Sequence, residues 1–152
     1  MIPVLLIEEL AKCIRCAVKD YKLQAEGQAD KPVTVYEQHI SEEDFLSDTY
    51  YPLVVVSLQK VEDGESKEMP ESYATVGLTI GCYGEDKRAW QDTLNIMERI
   101  RQSVLKKRTI GNRFRLRLPT KWETIEGQPY PFWYGYGTLV YTIAQPVEEM
   151  EY

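Results

Sequence analysis

Reactive side chains are scarce in this sequence: one histidine, His39, and three cysteines among 152 residues. A lone imidazole leaves any four-ligand zinc site to borrow carboxylates. An odd cysteine count with no regular framework excludes the disulfide scaffold of small secreted domains and suits a reducing compartment. No run approaches the roughly 20 apolar residues of a membrane span. Met1–Ile7 is apolar, but Glu8 and Glu9 follow at once, with no basic leader and no small-residue cleavage site, so it does not read as a signal peptide. Positive charge is short as well. With 18 basic against 24 acidic side chains the net charge is −6, which argues against a general nucleic-acid binder but not against a local basic stripe. Phosphate-cradling loops are missing too: Gly77, Gly81 and Gly84 lack the Gly-Lys-Ser/Thr ending, and Gly135-x-Gly137 opens no helix.

What is present is about one domain's worth of well-patterned chain. Its clearest unit is Ser72–Leu105, a strand running into a helix. From Tyr73 to Tyr83 the residues alternate, with Ala74, Val76, Leu78, Ile80 and Cys82 on one face and Tyr73, Thr75, Gly77, Thr79, Gly81 and Tyr83 on the other. Gly84-Glu85-Asp86 breaks the pattern and offers a capping carboxylate. Trp90, Leu94, Met97, Ile100 and Val104 then form a helical stripe. Lys106-Lys107-Arg108 complement the helix dipole, and Gly111 can terminate the helix.

Upstream, Pro3 suits the first turn of a helix over about 3–23, with the stripe Leu6, Leu10, Cys13, Ala17 and Tyr21 flanked by Ile7, Ile14 and Val18. Val33–Ile40 reads as a strand, and Ser41–Asp44 as a loop or one helical turn through Leu46. Leu53–Leu58, rich in β-branched residues, reads as a central strand. Glu62–Glu71, charged and containing Gly64 and Pro70, reads as a long mobile connection between antiparallel neighbours. Downstream, Phe114, Leu116 and Leu118 alternate with Arg113, Arg115 and Arg117; Pro119 ends or bends this strand and Trp122–Ile125 can resume it. Glu126–Trp133 is an ordered loop, Tyr136–Ala144 the last strand, and 145–152 a loose acidic tail. The expectation is one α+β domain over 1–152: a mostly antiparallel sheet of about five strands with two main helices packed on it, in the order α-β-β-β-α-β-β.

Cys13-Ile14-Arg15-Cys16 has redox spacing but falls in mid-helix, where no helix N-terminus lowers a thiol pKa. These cysteines, and Cys82, read as small apolar packing groups. His39 has no nucleophile elbow or cysteine partner in the sequence and reads as a polar residue at a strand end. Carboxylates come in runs, as at Glu62, Asp63 and Glu65, which is the pattern of solvated surface. No catalytic, cofactor or metal residue is assigned. Two constellations point to interaction instead. The stripe of Arg113, Arg115 and Arg117 reads either as a charged edge strand kept from aggregating or as a patch for an acidic partner. The run from Tyr130 through Phe132 and Trp133 reads either as a loop closing the core or as a protein contact.

Three pieces in order carry a resemblance. They are the strand–helix unit Ala74–Gly84 with Trp90–Arg101, then Phe114-Arg115-Leu116 through Pro119 to Trp122, then Gln128-Pro129-Tyr130-Pro131-Phe132-Trp133. Over residues 53–144 the chain resembles small tail-completion proteins of long-tailed bacteriophages and prophages, the tail terminators. The resemblance implies an α/β subunit that assembles as a ring, a hexamer, which caps the tail tube and offers a docking surface to the head. It implies no catalytic residue and no cofactor. The implied partners are further copies of the chain, the tail-tube protein and a head-completion protein, with DNA passing through the ring without specific binding. The implied location is the tail or neck of the virion, after assembly in the host bacterial cytoplasm. Head–tail connector proteins share the general fold and stay an alternative. A protein-binding module outside any phage is the reading from another class.

Overall fold

The computed structural model describes residues 2–66 and 69–149. In chain order these form α1 (Ile2–Val18), β1 (Thr34–Glu37), the one-turn α2 (Glu42–Phe45), a 3-10 turn (Asp48–Tyr50), β2 (Leu53–Ser66), β3 (Met69–Tyr83), α3 (Arg88–Lys106), β4 (Thr109–Ile110), β5 (Phe114–Thr124) and β6 (Phe132–Ile143). Among the described residues six strands make one sheet, ordered β1-β2-β3-β6-β5-β4, antiparallel except for β1 beside β2. The α+β class and the mostly antiparallel sheet are as expected; the additional strand is the two-residue β4. No described helix is long and apolar enough to cross a membrane.

The period of two in β3 sets the layers. Ala74, Val76, Leu78, Ile80 and Cys82 face α1 and α3, in one core with Val54, Val56, Leu139, Tyr141, Phe114 and Leu116. The opposite face has no long helix. There Phe45 of α2, Tyr51 and Phe132 pack with Tyr134 into a smaller cluster at one end of the sheet.

α1 buries most of the broad face its spacing suggested, whereas α3 is rotated from its expected stripe and keeps only Ile100 and Val104 of it fully inside. α1 buries Leu6, Ile7, Leu10, Ala11, Ile14 and Val18, leaving Cys13 and Ala17 at the margin. It ends at Val18, short of Leu23. α3 buries Ala89, Asp92, Thr93, Ile96, Ile100 and Val104, while Trp90 and Leu94 are 41% and 37% exposed. The cause is close approach: a Cβ on Gly84 would lie 2.7 Å from the Ala89 Cβ, and one on Gly135 would lie 3.1 Å from the Met97 Sδ. Ala89 and Thr93 thus lie directly over glycines, with Met97 close beside Gly135, while Trp90 and Leu94 face outward. Gly111 does not end α3; with φ +58° it belongs to the turn between β4 and β5.

The expected mobile connection over Glu62–Glu71 is instead paired strand. β2 and β3 stay in register through Glu62↔Tyr73, Asp63↔Ser72, Glu65↔Pro70 and Ser66↔Met69, and only positions 67 and 68 lie outside the described residues. Pro70 is tolerated because β6 ends opposite Ser72, so β3 has no second neighbour beyond that point. β5 runs through Pro119 with a register shift between Arg117 and Lys121, so the proline bends the strand without ending it. β6 begins at Phe132, earlier than expected. Residues 144–149 have no regular structure, although the Gln145 amide donates to Gly64 O at 3.2 Å and to Ser72 Oγ at 3.0 Å. Positions 150–152 of the expected tail lie outside the described residues.

Among the described residues one ionisable carboxylate, that of Asp92, is fully buried in this core. The Asp92 carboxylate accepts the Tyr21 hydroxyl at 2.6 Å, the Gln24 N–H at 2.9 Å and the Ala25 N–H at 3.0 Å. It fixes the chain leaving α1 onto α3. Replacing it with alanine orphans these donors, at about 1–3 kcal/mol for each one left buried. Asp92→Ala is expected to lower unfolding free energy in urea by about 2–4 kcal/mol, and Asp92→Asn by less. Burial, with the Asp92 bond adding to it, pushes the Tyr21 phenol from 10.0 up to about 12. The folded state therefore favours the neutral phenol. That contribution is complete below pH 10 and disappears as pH rises through about 12. Tyr21→Phe is expected to show a shallower loss of stability across that window; parallel losses in variant and wild type would contradict the assignment.

Candidate interaction surface

The structure separates the three arginines that the sequence grouped. Arg113 sits in the turn before β5 with its guanidinium 5.4 Å from the Phe114 ring centroid. Arg115 and Arg117 project from β5 on the helix-free face. Arg115 donates to Thr109 Oγ1 at 3.2 Å. Arg117 crosses β6 to lie over the Tyr73 ring, 4.6 Å from its centroid, and pairs with Glu71 at 3.9 Å. The Tyr73 hydroxyl links the two, donating to Glu71 and accepting from Arg117. Its pKa is raised, chiefly by the bond to Glu71.

Glu62, Asp63 and Glu65 are strand residues of β2, beside that same network. Lys60 pairs with Glu62 at 2.6 Å, and Asp63 accepts the Ser72 hydroxyl at 2.6 Å. Lys60, Glu62, Tyr73, Thr75, Arg117 and Val140 line a hollow of about 320 Å³ on the helix-free face. The fold therefore brings Arg117 and Glu62 onto one surface, whereas Arg113 stays on the outer flank with β4.

The aromatic run is split between the two faces at the opposite end of β6. Phe132 packs at 5.0 Å from Tyr51 and 5.3 Å from Tyr83 on the helix-free side. Trp133 turns to the helix side and donates Nε1–H to Gly84 O at 3.0 Å. Tyr130, 61% exposed, donates its hydroxyl to Glu85 O. Most of the run is thus core closure. Beneath Phe132, Tyr51 donates to Phe45 O at 2.7 Å, so the 2.5 Å contact with Tyr134 has Tyr134 as donor. Burial raises both phenols, Tyr51 the further. Gly81 makes room for this pair: a Cβ there would lie 2.7 Å from Tyr51 and 2.9 Å from Tyr134.

Two surface features were missed in the sequence. Trp90 and Leu94, read as core, line a 230 Å³ groove with Ile125 and Trp133. The basic set is also wider than three arginines, because Lys106, Lys107 and Arg108 lead directly into β4 beside Arg113. Their run in the sequence was visible but was absorbed by the helix-dipole argument. The outcome is a sheet with two signs. The β4–β5 flank is basic; the β1–β2 flank carries Glu62, Asp63 and Glu65, with Glu42, Glu43 and Asp48 in the β1–β2 connection.

His39 is exposed just beyond β1. Cys13 Sγ lies 3.8 Å from Ser103 Oγ, Cys16 is exposed, and Cys82 is buried. Burial pushes the Cys82 thiol up to about 12. No protein-family model and no curated protein matches this chain. The protein is of the α+β class, with a helix layer on one sheet face and oppositely charged flanks.

Two outcomes follow from this geometry. A disulfide-exchange reagent at pH 8 is expected to label Cys16 quickly and Cys82 only after denaturation; equal rates in the native protein would contradict the packing. Gly81→Val is expected to displace Tyr51 or Tyr134 and cost about 1–3 kcal/mol in urea unfolding.

Proposed function

We propose that the chain is a structural assembly protein of a long-tailed bacteriophage or prophage, a tail terminator. In this reading it forms a homo-oligomeric ring, a hexamer, that caps the tail tube, stops its growth and gives the head-completion protein a docking surface. DNA passes through without specific binding, and no catalytic group or cofactor takes part. Its place is the tail or neck of the virion. The observation that carries this reading is the opposite charge of the two sheet flanks. Dissimilar, complementary flanks favour head-to-tail contacts, which close into rings when the rotation between copies closes. The resemblance across residues 53–144 supplies the choice of assembly.

The exposed Trp90–Leu94–Ile125 groove favours a second reading, a monomeric protein-binding module that seats an apolar partner segment. One experiment separates them. The purified protein is added to tubes growing from the tail-tube protein encoded by the same phage or prophage, and the tubes are imaged by electron microscopy. A terminator shortens the tubes and leaves a cap at one end. Unchanged tube lengths with no bound density would contradict the proposal.

A further inference from the structure

Six of the 18 basic residues fall within positions 106–117, namely Lys106, Lys107, Arg108, Arg113, Arg115 and Arg117, with no acidic residue between them. All six are exposed. Arg117 is held by Glu71. The other five have no carboxylate partner among the described residues; Arg108 and Arg115 donate only to Leu105 O and Thr109 Oγ1. Like charges this crowded repel, and an anionic surface laid over them relieves that repulsion.

A matching surface lies on the far side of the same sheet. β2 loses its β1 neighbour after Val56, and the Gln38 side chain then closes the edge at Leu58, accepting its N–H at 2.8 Å and donating to its carbonyl at 3.3 Å. From Lys60 to Ser66 that edge is open and carries Glu62, Asp63 and Glu65. The two surfaces also share a level: Arg115 pairs with Thr142, Thr142 with Tyr73, and Tyr73 with Glu62.

We propose that the basic β4–β5 hairpin of one copy docks on the acidic β2–β3 arm of the next. This rests on the ring reading and names the surfaces through which the ring closes. Because Arg115 and Glu62 lie in one row of the sheet, a rotation about an axis along the strands brings them together with no shift. A rotation without translation closes a ring, whereas a shift would build an open helix. The contact is made by side chains and is not a continued sheet, since β5 bulges between Arg117 and Lys121 and carries Pro119, which has no N–H to pair.

The test is a charge swap read by sedimentation velocity at low salt. One variant carries Lys107→Glu, Arg113→Glu and Arg115→Glu; the other carries Glu62→Lys and Glu65→Lys. Each alone is expected to associate at least tenfold more weakly than wild type. Mixed in equal amounts they are expected to recover the wild-type mass, because the alternating ring is complementary at every junction. A Lys107→Gln, Arg113→Gln and Arg115→Gln variant gives partial weakening and serves if the reversal fails to fold. If wild type and both variants assemble alike, this interface is wrong while the ring reading stands. If wild type stays monomeric with and without tail tubes, the ring reading fails and this inference with it. If reversal abolishes binding to a short DNA duplex but leaves self-association intact, the hairpin serves nucleic acid and the proposal is overturned.

Discussion

A carboxylate with no exposed surface, Asp92, sets the geometry of the helix layer. An unpaired buried carboxylate would be several kcal/mol unfavourable at the least, so its position is fixed by its donors. Those donors come from Tyr21, Gln24 and Ala25, just after α1, so one side chain ties the end of α1 to α3 across about 70 residues of chain. To aim Asp92 at that segment, α3 must turn Ala89, Thr93 and Ile96 toward the sheet. Trp90 and Leu94 then face outward. The exposed groove is therefore a consequence of how the core is pinned, not of a lack of apolar partners.

The same one-sided layering decides what the sheet can present. With α1 and α3 on one face, the other is left to α2, the 3-10 turn and the Tyr51–Tyr134 cluster at one end. At the other end lie the Tyr73, Arg117 and Glu71 network and the neighbouring Lys60–Glu62 pair. The edge strands β1 and β4 are short, so β2 and β5 are covered for only part of their length. Both are guarded by charge of opposite sign, which discourages strand continuation.

Much of this fold was legible in the residues. The alternation in β3 located the central strand and its buried face, and the β-branched run at Leu53–Leu58 located its neighbour. Three features escaped because single-sequence signals compete. Gly64, Pro70 and dense charge imitate a loop, yet a two-stranded arm accepts a proline where its other side is unpaired. Helical spacing alone admits more than one stripe, and the groups that chose between them, the Asp92 donors after α1 and the glycines beneath α3, are distant in sequence. Pro119 marked an end or a bend, and only pairing with β6 shows that the strand resumes beyond it with a shifted register. For the surface, the sequence singled out the arginines and the aromatic run, but the faces they occupy depend on register. Arg117 is spent on an internal contact, and Phe132 and Trp133 point to opposite sides.

The central claim is that these flanks make a closed assembly, and its most direct test is the native mass of the wild-type chain. Native mass spectrometry at low ionic strength, over a range of protein concentration, distinguishes the possibilities. The account predicts one closed species of six copies that dissociates as salt rises. A monomer at every concentration that stays one on adding tail tubes, or an unbounded ladder of sizes, would contradict it.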